Sequence, residues 1–302
     1  MVARTRFRLA FAAAFAPCVL VAGPLGETRG IAARNAKPEV GSHILLFDTD
    51  TRVVRKLADR NDETVVSRLA WFPSGRALVV AQQCDDCGAS DIVVRSVRAP
   101  TRVSAKRIAR GSEPDVSPDG RQVVFVGLRG GVFLVGPDGL GRRRLFASGR
   151  FGEPRWSPGG QTIALTVSGR DGVKQITLIG LRGEGRRQLT TGKRSSVNPA
   201  WSPDGKRIAF ARQGTDGRWR IYLMRRDGSH VRRLSTGQGS DTAPAWSPSG
   251  SQLVFVRSSR DASRLYVMRS NGSHVRRLPV TGNVSAPAWS PGGGTVACVR
   301  RG

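Results

Sequence analysis

One short phrase recurs six times along this chain, and it constrains the fold before any single residue is considered. The copies are Trp71-Phe72-Pro73-Ser74-Gly75, Val116-Ser117-Pro118-Asp119-Gly120, Trp156-Ser157-Pro158-Gly159-Gly160, Trp201-Ser202-Pro203-Asp204-Gly205, Trp246-Ser247-Pro248-Ser249-Gly250 and Trp289-Ser290-Pro291-Gly292-Gly293. They stand 45, 40, 45, 45 and 43 residues apart. A period in the forties with one Trp and one tight turn per unit is the pattern of a β-propeller blade. Such a unit cannot bury both faces alone, so the copies must pack side by side.

The repeat from Asn198 to Ser235 gives the anatomy of one unit. Ser202-Pro203-Asp204-Gly205 is turn chemistry: Pro presets φ, and Gly takes a positive φ without a Cβ clash. Ile208-Ala209-Phe210-Ala211, Ile221-Tyr222-Leu223-Met224 and Val231-Arg232-Arg233-Leu234 follow as strands, separated by Gly214-Thr215-Asp216-Gly217 and Asp227-Gly228. With the strand that ends at Trp201, this makes a four-stranded antiparallel meander. No helical periodicity is sustained after the first thirty residues or so, and the mature chain reads as all-β.

The last copy supplies only two strands, ending in Thr295-Val296-Ala297-Cys298-Val299. At the other end, His43-Ile44-Leu45-Leu46-Phe47 and Val53-Val54-Arg55-Lys56-Leu57 match the third and fourth strands of a unit. The expectation is a six-bladed propeller closed by a composite blade from both ends, which leaves no open sheet edge between first and last units.

These residues resemble the TolB-type propeller repeat. Its phrase combines Pro, Trp, Ser-Pro-Asp-Gly, an Ile-Ala-Phe strand, an Ile-Tyr strand, Asp-Gly and a closing Arg-Leu-Thr. Asn198 to Ser235 carries nearly all of it, and Arg187-Gln188-Leu189-Thr190 repeats the closing phrase. The resemblance covers about residues 43 to 300. Val116 and Phe72-Pro73 depart from it. Too few residues precede His43 for the α/β domain that TolB carries before its propeller, so only the propeller part is expected. The resemblance implies a propeller that binds lipoproteins and colicins in the cell envelope. The same repeat accompanies prolyl-oligopeptidase-like catalytic domains, and none is expected here.

The start has the form of an export signal. Arg4, Arg6 and Arg8 precede an apolar run from Leu9 to Gly23, and Val21-Ala22-Gly23 offers small residues for cleavage. We therefore divide the chain into a signal at 1–27, a disordered leader at 28–41 and a propeller at 42–302, with no stable membrane span after cleavage. Phe15-Ala16-Pro17 before Cys18 is a poor lipobox. Cys84 and Cys87 fall in a hairpin loop, and in an oxidising compartment they can close a small disulfide. A redox role for that spacing wants a helix start, and a zinc site wants two more ligands. Cys298 sits in an apolar strand and is expected to be a buried thiol.

The formal net charge is +27, and about +24 remains without the first thirty residues. Such a charge invites a polyanion. Yet Arg55-Lys56, Lys106-Arg107, Arg143-Arg144, Arg186-Arg187, Arg232-Arg233 and Arg276-Arg277 all fall in fourth, outermost strands, where basic side chains discourage edge pairing. The basic pairs are not interleaved with aromatic rings as a single-strand stacking platform requires, and export also argues against nucleic acid.

A binding site is expected where the innermost strands meet the channel. The position three before each Trp or its equivalent holds Arg68, Glu113, Glu153, Asn198, Ala243 and Ala286. Together with Asp115, Arg155 and Asp241 these make one side polar. Glu113, Asp115 and Glu153 allow a calcium reading, but too few ligands are visible, so no metal and no cofactor are expected. No nucleophile elbow, His-Glu-x-x-His or phosphate loop is present, and three His leave little room for a triad. The expectation is a non-enzymatic, monomeric, exported scaffold for a protein or envelope component, in the periplasm or at the cell surface. The alternatives are a calcium-assisted propeller enzyme of the lactonase, phytase or sugar-dehydrogenase kind, and a basic scaffold for anionic wall polymer or lipid.

Overall fold

The computed structural model describes residues 41–57, 65–83, 90–97, 105–146, 149–182 and 185–301. The expected signal, nearly all of the leader, and Cys84 and Cys87 lie outside the described residues. Among the described residues every regular element is a strand, and no helix is long and apolar enough to cross a membrane.

The described residues open with β1 (Ser42–Asp48) and β2 (Val54–Lys56). Seven strands follow as one sheet: β3 (Val66–Trp71), β4 (Ala77–Gln83), β5 (Ser90–Ser96), β6 (Ala105–Val116), β7 (Val123–Gly127), β8 (Val132–Val135) and β9 (Arg143–Phe146). The long β6 serves twice. Its first half pairs with β5 and its second half with β7. Three separate antiparallel sheets come next. They comprise β10 (Phe151–Trp156), β11 (Thr162–Ser168), β12 (Lys174–Gly180) and β13 (Arg187–Gln188); then β14 (Ser196–Trp201), β15 (Arg207–Gln213), β16 (Trp219–Arg225) and β17 (Arg232–Arg233); then β18 (Ser240–Trp246), β19 (Gln252–Ser258), β20 (Ser263–Arg269) and β21 (Arg276–Arg277). The last strands are β22 (Asn283–Trp289) and β23 (Thr295–Arg301), and their sheet has the order β2-β1-β23-β22. Ile44 lies opposite Val299 and Phe47 opposite Val296.

The recurring turn explains the regularity. Ser202 Oγ accepts the N–H of Arg207 at 2.9 Å, and the Gly205 N–H donates to the Ser202 carbonyl at 2.8 Å. Asp204 Oδ1 accepts the N–H of Lys206 at 3.1 Å. One hydroxyl and one carboxylate thus satisfy the backbone of a turn whose Gly205 takes a φ of 66°. The turns also nest. A Cβ on Gly120 would lie 3.4 Å from Pro73 Cδ, one on Gly250 3.6 Å from Pro203, and one on Gly75 3.9 Å from Pro291. Proline of one copy covers glycine of a neighbour.

Both faces of each central strand are buried, as stacked sheets require. Along β1, Ile44 and Leu46 pack with Leu69, Leu78 and Val80, while the alternate residues Leu45 and Phe47 pack with Val254, Val267 and Val284. Inner strands meet in succession: β3 packs on β6, β6 on β10, β10 on β14, β14 on β18, β18 on β22, and β22 on β3. Outer strands are short and exposed, as at Arg55-Lys56, Arg143-Arg144, Arg232-Arg233 and Arg276-Arg277. Some of these arginines also tie sheets together: Arg143 donates to the Leu181 carbonyl at 3.1 Å and Arg232 to the Asn271 carbonyl at 3.4 Å. Trp219, which stands outside the recurring phrase, is half-buried against the cluster around Phe255.

Candidate functional site

Each inner strand carries a bulge, at the same place in all but β3. Pairing slips between Ser112 and Asp115, Gly152 and Arg155, Val197 and Ala200, Thr242 and Ala245, and Ser285 and Ala288. The residue inside each slip adopts a left-handed conformation: φ is 57° at Glu113, 55° at Glu153, 54° at Asn198, 50° at Ala243 and 48° at Ala286. That region is uncommon for residues other than glycine, and a bulge re-aims the side chain it holds. Arg68 departs from the expected equivalence. In β3 the slip falls between Val66 and Arg68, so Arg68 itself stays in the ladder opposite Ala81.

The bulges are joined from one repeat to the next. The Glu153 carboxylate accepts the Asn198 N–H at 2.5 Å and also the Asn198 side-chain amide. Thr166 Oγ1 donates to the same carboxylate at 2.7 Å. Asn198 Oδ1 in turn accepts the Ala243 N–H at 3.1 Å. Arg68 reaches Glu113 at 2.8 Å and stands 3.9 Å from Glu153. Asp115 Oδ2 accepts the N–H of Trp156 at 2.8 Å, another bond between repeats. Arg155 donates to the Pro154 carbonyl at 2.8 Å.

The charges shape one another. Burial disfavours a charged Arg68, but Glu113 and Glu153 more than offset it and hold its pKa above the ordinary value. For Glu113, burial pushes the pKa up, and Arg68 and Arg155 pull it below the ordinary value. Burial prevails at Asp115, whose pKa is raised although Arg155 and two backbone amides oppose it. Burial and the nearby Arg68 lower the pKa of Arg155.

Two cavities adjoin this cluster. One of about 320 Å³ is lined by the Trp and Pro residues of the recurring phrase together with Asp115 and Arg155. The other, of about 600 Å³, is lined by residues around Ser258–Ser263 and Asn283–Ala286. Arg68, Asn198 and Ala243 line both, so they stand at the waist between them. Six of the expected site residues thus come together: Arg68, Glu113, Asp115, Glu153, Arg155 and Asn198. Asp241 does not join them. It is fully buried against Arg257, whose Nε and Nη2 donate to its two oxygens at 2.6 and 2.9 Å. Among the described residues no three His, Cys, Asp or Glu side chains gather as metal ligands.

A family model describing a TolB beta propeller domain matches residues 154–302. The propeller is TolB-like. Among solved structures, a putative TolB from Agrobacterium tumefaciens shares 24% identity with it at a TM-score of 0.76, covering 87% of this chain and 98% of that one. TolB from Acinetobacter baumannii shares 19% at 0.69, covering 82% and 66%. An oligogalacturonate lyase in complex with manganese shares 16% at 0.57, covering 85% and 78%. No curated protein sequence matches the chain. At these identities the likeness of the TolB-like propeller to the solved structures is one of fold.

Sequence reasoning grouped these residues by their distance from the Trp and missed their bonding. The left-handed position is occupied by Glu, Glu, Asn, Ala and Ala, which share no side-chain signal. Only the fixed distance from the Trp marks it.

Proposed function

We propose that this TolB-like propeller is an exported, non-catalytic, monomeric scaffold that docks a protein or another component of the cell envelope. In this reading it is a six-bladed ring closed by the sheet of β2, β1, β23 and β22. The succession of inner strands back to β3 and the Gly75–Pro291 contact support the closure. The observation that carries the non-catalytic reading is the use made of the polar waist. Glu113 is held by Arg68, Glu153 by Asn198 and Thr166, and Asp115 by the Trp156 amide. Carboxylates spent on joining blades are poor general acids or bases, because each proton transfer would break a link. The resemblance to the TolB propeller repeat and the export-like start support the envelope setting.

Capture from envelope extracts tests it. An immobilised propeller should retain a protein partner in 0.5 M salt, on the order of ionic strength that screens rim charges to a few ångströms. Retention that collapses with salt would favour the basic wall- or lipid-binding scaffold instead. The enzyme alternative gains its support from the lyase with manganese among the similar folds. A large rise in Tm with calcium or manganese would favour it over docking.

A further inference from the structure

We propose that the cavity of about 600 Å³ beside Ala243 and Ala286 binds a small hydroxylated carboxylic acid, whose carboxylate takes the place of a side chain that the ring of bulges lacks. This goes beyond the docking reading and does not depend on it.

The inference starts from a repeated bond. At two successive bulges, the amide is accepted by a side-chain oxygen from the preceding blade: Asn198 N–H by the Glu153 carboxylate, Ala243 N–H by the Asn198 carboxamide. Ala286 has the same backbone conformation, with φ 48° against 50° and 54°. The residue before it in the ring is Ala243, which has no side-chain oxygen. The run of two such bonds stops at Ala286, beside the larger cavity, which Ala243 and Ala286 both line. Glu153 shows which group fits such a place: a planar carboxylate, one oxygen on the Asn198 backbone N–H and the other on the side-chain amide of the same Asn198.

The rest of the cavity suits the same ligand. Arg260 and Arg301 line it, both exposed, and among the described residues neither has an ion-pair partner. Asp261 is the one acid in the lining. Hydroxyls are abundant there, and Ser285 Oγ is buried without a hydrogen-bond partner. No aromatic side chain lines this cavity, so recognition falls to hydrogen bonds and charge, and its volume suits a small molecule. The arginine guanidinium groups pair with carboxylates in a planar, bidentate manner.

Titration calorimetry on the full chain tests this with D-gluconate, its uncharged counterpart sorbitol, and inorganic phosphate. Gluconate should bind at least about ten-fold more tightly than either, the worth of one charge-assisted hydrogen bond. Ala243→Asn supplies the missing acceptor from within, and should weaken gluconate about ten-fold or more while Tm holds or rises. Ala243→Gly keeps the backbone conformation without an acceptor and should bind like the parent, which separates the acceptor from any effect of altering the site. Arg260→Ala and Arg301→Ala should each weaken binding about three- to ten-fold. Equal binding of gluconate and sorbitol, phosphate binding as tightly as gluconate, or an Ala243→Asn protein with undiminished affinity would each overturn the assignment.

Discussion

The indole Nε1 of Trp71 donates to the carbonyl of Ala288 at 3.2 Å, although 217 residues separate them. The bond is one of a series. Trp201 donates to Arg155 at 3.3 Å and Trp246 to Ala200 at 3.1 Å, in each case to the residue just before the neighbouring Trp. The Trp of the recurring phrase therefore does more than fill the gap between sheets. It fixes how far one inner strand is displaced against the next. The series is incomplete: the Nε1 atoms of Trp156 and Trp289 are buried with no hydrogen-bond partner.

That difference gives a paired test. Trp71→Phe and Trp156→Phe remove the same ring volume, but only the first removes a hydrogen bond. Trp71→Phe should therefore cost about 1 kcal/mol more, the net worth of one buried hydrogen bond. Urea midpoints of the two variants at unchanged m-value measure it. Equal costs would mean the indole bonds do not contribute.

Asp241 anchors the chain at the entry to β18. It lies directly opposite Arg257 in the β18–β19 ladder, and its side chain is wholly buried. Asp241→Asn leaves a guanidinium with one partner charge removed, and should destabilise the fold by about 3 kcal/mol. Adding Arg257→Met to that variant should recover part of the loss, because the stranded charge is gone. Chemical denaturation of the single and double variants decides it.

How much of this was legible in the sequence follows from which signals are local. The Ser-Pro-Asp-Gly turn was legible because Ser202, Asp204 and Gly205 bond within five residues of one another. The basic outer strands were legible because charge and strand order are both local patterns. The all-β character and the TolB-like repeat followed from the same phrases. Asp241 was placed with the channel residues because it stands at an entry loop. Its partner Arg257 becomes visible only once the register pairs the two across the ladder. Arg68 was taken as equivalent to Glu113 from its distance to Trp71. A slip of the bulge toward Val66 removes that equivalence, and nothing in the residue types announces it. The links from Glu153 to Asn198 and from Asn198 to Ala243 use backbone amides, so no residue identity at the receiving end encodes them.

The two carboxyls at the waist should make stability depend on pH in opposite senses. The folded pKa of Glu113 lies below the ordinary 4.5, so its contribution is present above that value and is lost as pH falls through the folded pKa. The folded pKa of Asp115 lies above the ordinary 3.8. Its burial is free of penalty while protonated and becomes costly as pH rises from 3.8 through the folded value. Asp115→Asn keeps an oxygen for the Trp156 N–H and removes the ionisation. It should flatten the fall of stability with rising pH on that limb, leaving the acid loss due to Glu113 in place. Urea unfolding across the acid range reads both limbs; a parallel profile for parent and variant would show that Asp115 ionises without cost.

Cys298 reports on the sheet that joins the two ends of the described chain. It lies on β23, opposite Leu45 of β1, wholly buried, and its thiol is pushed up to about 12 by burial, with Arg300 opposing. Thiolate is the reactive form, so a folded protein should leave Cys298 unmodified by iodoacetamide at pH 8 for hours. Opening of the β1–β23 pair would expose it and return its reactivity to that of an ordinary thiol. Leu45→Ala, which removes side-chain packing beside it, should destabilise the protein by about 2–4 kcal/mol and speed its labelling. Peptide mapping after alkylation separates Cys298 from the other cysteines. If labelling of Cys298 is as fast in the folded parent as in urea, the end sheet does not stay closed in solution. If Leu45→Ala lowers stability without speeding the labelling, thiol exposure requires an opening that does not involve β1.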